Sequence, residues 1–268
     1  MGQAINDDGL DGVDDDDKIK EKIPIDDFES IKVKKDMSVG TSMFAAVFFA
    51  FMKENKKKYR MTTTKQFELF WKALFCLFIQ FFFIYCVVTY GGVKFSLNNE
   101  TFMQLSLIFT TLLLHIGVIA NARDGMYMMK YALCHPEKFT HPELAFLMGF
   151  IQFFSMWVAE LVNIMKSSSR NTAQELITSY VGFKVLLEVP NIYVKSLSPL
   201  NVPVLGAIGK VTATQGRKAQ KTEGDVRFRA LFDFVYVTNK WFYNSFYFYF
   251  FTFVVIGLPF AKVIVQKE

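Results

Sequence analysis

The residues of this sequence that could do chemistry are ionisable and amide side chains set inside long apolar runs. Gln152, Glu160 and Asn163 are spaced by eight and three residues, which places them on one face of a helix. An acidic group near the middle of a membrane helix costs about 2.5 to 3.5 kcal/mol, so Glu160 is expected to face protein or a water-filled cavity, not lipid. Lys184 in the next apolar segment is its expected partner, with Glu175 and Glu188 flanking it. Glu188 stands two residues before Pro190, whose missing N–H frees a carbonyl that could coordinate a cation. His115 is a lone histidine in another apolar run and could carry protons or meet Glu160. Such a set serves either as an ion or proton path or as interhelical hydrogen bonds that only hold the helices together.

Other candidate chemistry is thin. Cys134, His135 and His141 gather with Glu137 and Glu143, but Pro136 and Pro142 account for a stiff turn there without a metal, and neither metal nor cofactor is expected. The run Gly206-Ala207-Ile208-Gly209-Lys210 lacks the spacing of a phosphate loop and its Ser/Thr after Lys. No register of Asn6 to Asp17 supplies the ligand positions of an EF-hand. G-x-S-x-G, H-E-x-x-H and paired C-x-x-C are absent, which argues against an enzyme.

The elements that must position these residues are membrane helices. Hydrophobic residues make up 52% of the 268, with Phe alone occurring 31 times, and the apolar runs are longer than a globular chain of this size can bury. Fifteen Gly and three Cys exclude collagen-like and disulfide-scaffold architectures; Cys76, Cys86 and Cys134 are read as reduced thiols. The net charge is only +5, and the basic residues flank apolar runs without forming a soluble module. That excludes nucleic acid as a partner and marks the basic segments as topology determinants and contacts for anionic lipids.

The fold class expected is all-α, a polytopic membrane protein with about five transmembrane helices plus a short interfacial helix. Residues 1–36 read as an acidic, mixed-charge disordered arm, and 37–65 as an interfacial helix and basic linker. Met43 to Met52 is short for a span and has Lys/Arg clusters at both ends, which favours an interfacial or re-entrant helix on the cytosolic leaflet over a short sixth span. Residues 66–197 hold spans one to four. The first runs from about Phe67 to Thr89, preceded by Thr63 and Gln66 as a capping-box pair. The second starts at Thr101 or Phe102, stays apolar to Ala120, and continues as a projecting helix that ends before His135-Pro136. Thr140-His141-Pro142-Glu143 opens the third, through Met165.

The fourth segment, Thr172 to Leu197, is more polar and should kink or end at Pro190. It counts as a span because the basic loop after it, 198–238, belongs in the cytosol. Within that loop Gly206 to Asp225 reads as mobile, and Val226 to Val237 fits a juxtamembrane helix better than the strand its alternation also allows. The fifth span, about Trp241 to Val263 within 239–268, is dominated by aromatics. This order puts the N-terminus in the cytosol of a plasma-membrane or endomembrane protein. It also places Asn99, in the sole N-x-S/T sequon, outside between spans one and two as a glycosylation candidate.

From His135-Pro136-Glu137 through Gln152, Glu160 and Asn163 to Glu188-Val189-Pro190-Asn191, the chain resembles multi-span membrane proteins of protists to which no activity is attached, over roughly residues 135–195. The resemblance implies a shared helical membrane module and transfers no function. The expected function is an oligomeric channel-like or transport subunit, a cation path preferred, lined by spans three and four with Glu160, Gln152, Asn163, Lys184, Glu188 and His115 in or near it. The competing expectation is a non-transporting accessory or scaffold subunit of a membrane complex. A homo-oligomer or other membrane subunits are the expected protein partners.

Overall fold

The computed structural model describes residues 34–91, 101–168, 170, 172–197, 210–214 and 226–247. The acidic arm before residue 34, the sequon at Asn99 and the fifth span beyond Tyr247 lie outside the described residues.

The described residues are helical apart from one short ribbon and the connecting turns. Among the described residues three helices are long and apolar enough to cross a membrane: α3 (Thr63–Gly91), α4 (Thr101–Cys134) and α5 (Pro142–Ser168). Each exceeds the roughly 20 residues that a bilayer core requires. The outer face of α3 is built from exposed Trp71, Phe75, Phe78, Phe82 and Phe83, an apolar surface of the kind that lipid covers. A short turn, Pro136–Lys138, reverses the chain so that α4 and α5 run antiparallel. Their backbones meet at Gly125 and Gly149. A Cβ on Gly125 would sit 2.7 Å from the Gly149 carbonyl oxygen, and one on Gly149 would sit 2.7 Å from that of Gly125. Only a residue without a side chain allows this approach, as is usual where membrane helices cross closely.

The next helix, α6 (Ala173–Ser196), is capped by Thr172, whose hydroxyl accepts from the Glu175 N–H. It runs through Pro190 without ending there. Pro190 cannot donate to the carbonyl four residues back, that of Leu186, and the Gln80 amide on α3 donates to this oxygen at 3.2 Å instead. The one polar break in the apolar run of α3 is therefore the repair for the one proline in α6.

Met43–Ala50 forms α1, and here the interfacial expectation is corrected. No residue of α1 is more than 3% exposed, and the helix is enclosed by α3, α5 and α6. A helix that is apolar all round has no face to offer water, so it goes inside. Burial obliges the bundle to satisfy its ends. Ser42 caps the N-terminus through the Ala45 N–H. At the other end Asn55 donates to the Phe49 carbonyl, Gln66 to that of Ala50 at 2.6 Å, and Thr140 through both N–H and hydroxyl to that of Phe51. The capping-box reading of Thr63 and Gln66 is corrected too: Thr62 precedes α3 and receives the Lys65 N–H, which leaves the Gln66 side chain for α1. Phe48 anchors the segment against Phe139 and Tyr131 at ring separations of 5.1 and 6.0 Å. After α1 comes α2 (Lys53–Lys58), a short basic helix.

Two further boundaries move. Lys34–Ser38 is a strand, β1, antiparallel to Lys210–Thr214, β2, with Lys34 opposite Thr214 and Ser38 opposite Lys210. The end of the arm expected to be disordered and part of the loop expected to be mobile thus satisfy each other's backbone groups. Val226–Trp241 is the helix α7, as preferred over a strand, and it passes directly into π-helical turns at Phe242–Tyr247.

Candidate functional site

Glu160 lies on α5 at 0% exposure, with Gln152 and Asn163 on the same helix at 1% each, so the inward face expected from their spacing is present. The partner differs from the expectation. Glu160 is met by His115 of α4, whose Nδ1 lies 2.7 Å from Oε1, and by Tyr247, whose hydroxyl donates to Oε2 at 2.5 Å. The His115 and Tyr247 rings stand 5.1 Å apart, and Phe153 packs edge-on against Tyr247. Three elements therefore bring a carboxylate, an imidazole and a phenol to one point closed to solvent.

The geometry explains why each side chain arrives there. His115 and Glu160 face each other because the antiparallel helices are registered by Gly125 against Gly149, with the Gln152 amide bonded to the Asn121 carbonyl between the two levels. Tyr247 reaches in because the chain widens to π-helical turns over Phe242–Tyr247, which reorients the side chains on the inward side; π turns recur at functional positions. Phe242 and Tyr243, on the same turns, pack on Phe153 and hold the segment against α5.

Lys184 does not pair with Glu160. Its ammonium is 3.3 Å from Glu188, one turn on along α6, and lies against Gly117 of α4, where a Cβ would be 2.9 Å from Nζ. Glu188 also accepts from Asn191 at 2.6 Å. Lys184 thus neutralises a neighbour on its own helix, a pairing that needs no tertiary register. The carbonyl freed by Pro190 is not offered to a cation, since Gln80 occupies it. Gln152 is a structural node: its amide oxygen accepts from Ser42 at 2.7 Å while its NH2 donates to Asn121. Asn163 accepts from Ser167 at 3.4 Å, one turn away. The six candidates accordingly divide into a Glu160–His115 centre, a Gln152 anchor for α1, a Lys184–Glu188 pair, and Asn163 in a local contact.

Sequence reasoning missed Tyr247 and Gln80. The first sits in an aromatic run in which no spacing distinguishes one tyrosine from the next. The second had a legible signal, a lone amide in a sixteen-residue run that is otherwise apolar, whose target only the packing of α3 on α6 reveals.

Of the residues considered for a metal, His135 packs its ring on Tyr131 at 4.8 Å and lies 3.5 Å from Glu137, while His141 stands edge-on to Phe51. Burial holds the His135 imidazole below its ordinary range, with Lys138 adding to the effect and Glu137 opposing it. On α7, burial pushes the Tyr236 phenol up to about 12, with Cys134 at the end of α4 contributing.

No known protein family, curated protein or solved structure matches the chain.

Proposed function

We propose that the protein is a transport subunit of a membrane in which Glu160 is the ionisable centre of a proton step. One observation carries this reading: a wholly buried carboxylate, between two helices long and apolar enough to cross a membrane, shared between a histidine and a tyrosine from two other elements. Ionisable groups at such depth are expensive and mark ion or proton routes by default. All three can give or take a proton, and they already form a continuous hydrogen-bonded chain. Proton exchange along such a chain needs no void, whereas a hydrated metal cation does. A cavity between α4, α5 and α6, lined by Gln104, Ser167 and Arg170, offers about 10 Å³, room for one water. The cation preference from sequence thus narrows to protons, and the route runs between α4, α5 and the π-helical turns. In this reading α6 is a fourth span, Trp241 to Val263 a fifth, and several copies or neighbouring subunits assemble with the chain while lipid covers the aromatic face of α3.

A second reading, the accessory or scaffold subunit, is favoured by one fact: Gln152, Glu160 and Asn163 are all closed to solvent, as interhelical fasteners would be. Flux separates the two. Full-length protein in liposomes with an imposed pH gradient and a pH-sensitive dye inside is expected to dissipate the gradient, and Glu160→Gln to slow this at least tenfold with the fold retained. Equal rates for Glu160→Gln and wild type, or no flux from well-folded wild type, would favour the accessory subunit.

A further inference from the structure

We propose that the cleft formed by α2 and the turn after it is a binding site for the headgroup of an anionic phospholipid, independent of what Glu160 does. Lys53, Lys56, Lys57 and Arg60 line an open cleft of about 480 Å³ with buried Met61 beside them. Two of the four are anchored without being neutralised: Lys53 donates to the Glu137 carbonyl at 2.8 Å and Lys56 to the Thr63 hydroxyl at 3.3 Å. Among the described residues none of the four is ion-paired; the ion pairs of this region lie elsewhere, as between Lys72 and Glu68. Lys53, Lys56 and Lys57 share one face of α2 and repel one another, with Arg60 just past the end of the helix, so the arrangement favours a bound anion. The lysines of the last turn do interact favourably with the carbonyl end of α2, but that contact leaves the positive charge exposed.

Arg60 supplies the independent observation. The Met61 N–H bonds to the Lys56 carbonyl and the Arg60 N–H to that of Lys57, the two bonds of a Schellman ending to α2. In that ending Arg60 holds the left-handed position with φ of 48°, the only non-glycine with positive φ among the described residues. Glycine would occupy it without steric cost. An arginine there keeps a strained backbone and gains a guanidinium in the cleft, and strain retained in this way marks a functional side chain. Phosphate matches the donors, because a guanidinium grips two of its oxygens while lysines supply point charge.

The source of the phosphate is the membrane. The membrane-crossing helix α3 starts two residues after Met61, and Phe67 and Trp71 are exposed one and two turns along it, where aromatic rings take up the headgroup level.

Native mass spectrometry of the full chain in detergent, with phosphatidylserine or phosphatidylcholine added to the micelles, tests this. Each cation at an anionic lipid surface changes affinity about fivefold. Wild type is expected to retain phosphatidylserine at least tenfold over phosphatidylcholine. Arg60→Gly should lower that retention about fivefold while its thermal midpoint stays level or rises, so the loss cannot come from misfolding. Lys56→Gln with Lys57→Gln should lower it about twenty-fold, and Lys195→Gln with Lys240→Gln, which removes as much charge elsewhere, should leave it unchanged. No lipid preference in wild type, an equal loss in the Lys195/Lys240 variant, or retention abolished by millimolar inorganic phosphate would overturn the assignment, the last by showing a soluble anion as the ligand.

Discussion

Gly149→Ala tests the register on which the Glu160 centre depends. The new methyl would lie 2.7 Å from the Gly125 carbonyl oxygen and 2.8 Å from the Met129 nitrogen, and both are backbone atoms that no rotamer change moves aside. Ordinary contact begins near 3.4 Å, so α4 and α5 must separate by about 0.7 Å at the crossing. A gap of that size forfeits a quarter to a half of each dispersion contact. Over roughly 30 atom pairs at about 0.15 kcal/mol each, the loss is on the order of 1 to 2 kcal/mol, within the range for overpacked cores. Gly125→Ala meets the same crossing from the other side, at 2.7 Å from the Gly149 oxygen. Once one methyl has parted the helices the second finds space, so the double variant should cost clearly less than the sum of the singles. Gly182→Ala is the control: nothing lies within 4 Å of its Cβ, and helix propensity predicts neutrality or a gain of up to about 1 kcal/mol. Reversible unfolding in mixed micelles measures all four. A cost below about 0.5 kcal/mol for Gly149→Ala, or strict additivity of the pair, would refute a close backbone crossing here.

Gln80→Leu should cost about 1 to 3 kcal/mol by orphaning the Leu186 carbonyl, and Gln80→Leu combined with Pro190→Ala should recover most of it, because the helix then supplies its own N–H; the same unfolding assay reads the cycle. Gln152→Ala removes the acceptor of the Ser42 hydroxyl and should loosen α1, seen as about 1 to 3 kcal/mol of lost stability and as faster amide exchange in Met43–Ala50. Tyr247→Phe deletes a donor to Glu160, and its coupling to Glu160→Gln in a double-mutant cycle is expected at about 1.5 to 3 kcal/mol; zero coupling would mean that the π-helical turns do not touch the carboxylate in solution. His135 is held below its ordinary value of 6.5 in the folded chain, so the unfolded chain binds the extra proton first. Its contribution to stability is complete above about pH 6.5 and is lost as pH falls below that, and the drop in unfolding midpoint between pH 7.5 and 5.5 should shrink in His135→Asn.

Much of this fold is local in origin and therefore legible in the amino-acid order. The apolar runs of α3, α4 and α5 exceed a bilayer's thickness, the start of α5 is announced by Pro142 and Glu143 in its first turn, and the spacing of Gln152, Glu160 and Asn163 dictates a shared buried face. Each is decided by neighbours within a few turns, through periodicity and backbone donors. The requirement that Glu160 face protein or water was equally local, since a carboxylate turned to lipid is too costly.

Which partner it finds was decided by packing. Lys184 was the obvious cation, yet Glu188 lies one turn away from it on the same helix and needs no tertiary register, while the glycine crossing of α4 and α5 delivers His115 to Glu160 instead. The apolar pattern of α1 specified burial but could not say whether lipid or protein would bury it; the caps from Ser42, Asn55, Gln66 and Thr140 show that it is protein. Pairing of β1 with β2, or of Gln80 with the carbonyl left by Pro190, joins segments more than a hundred residues apart. A side chain's need for a partner is written in its immediate surroundings, whereas the partner is set by the relative depth and rotation of whole helices, which exist only once the bundle has closed.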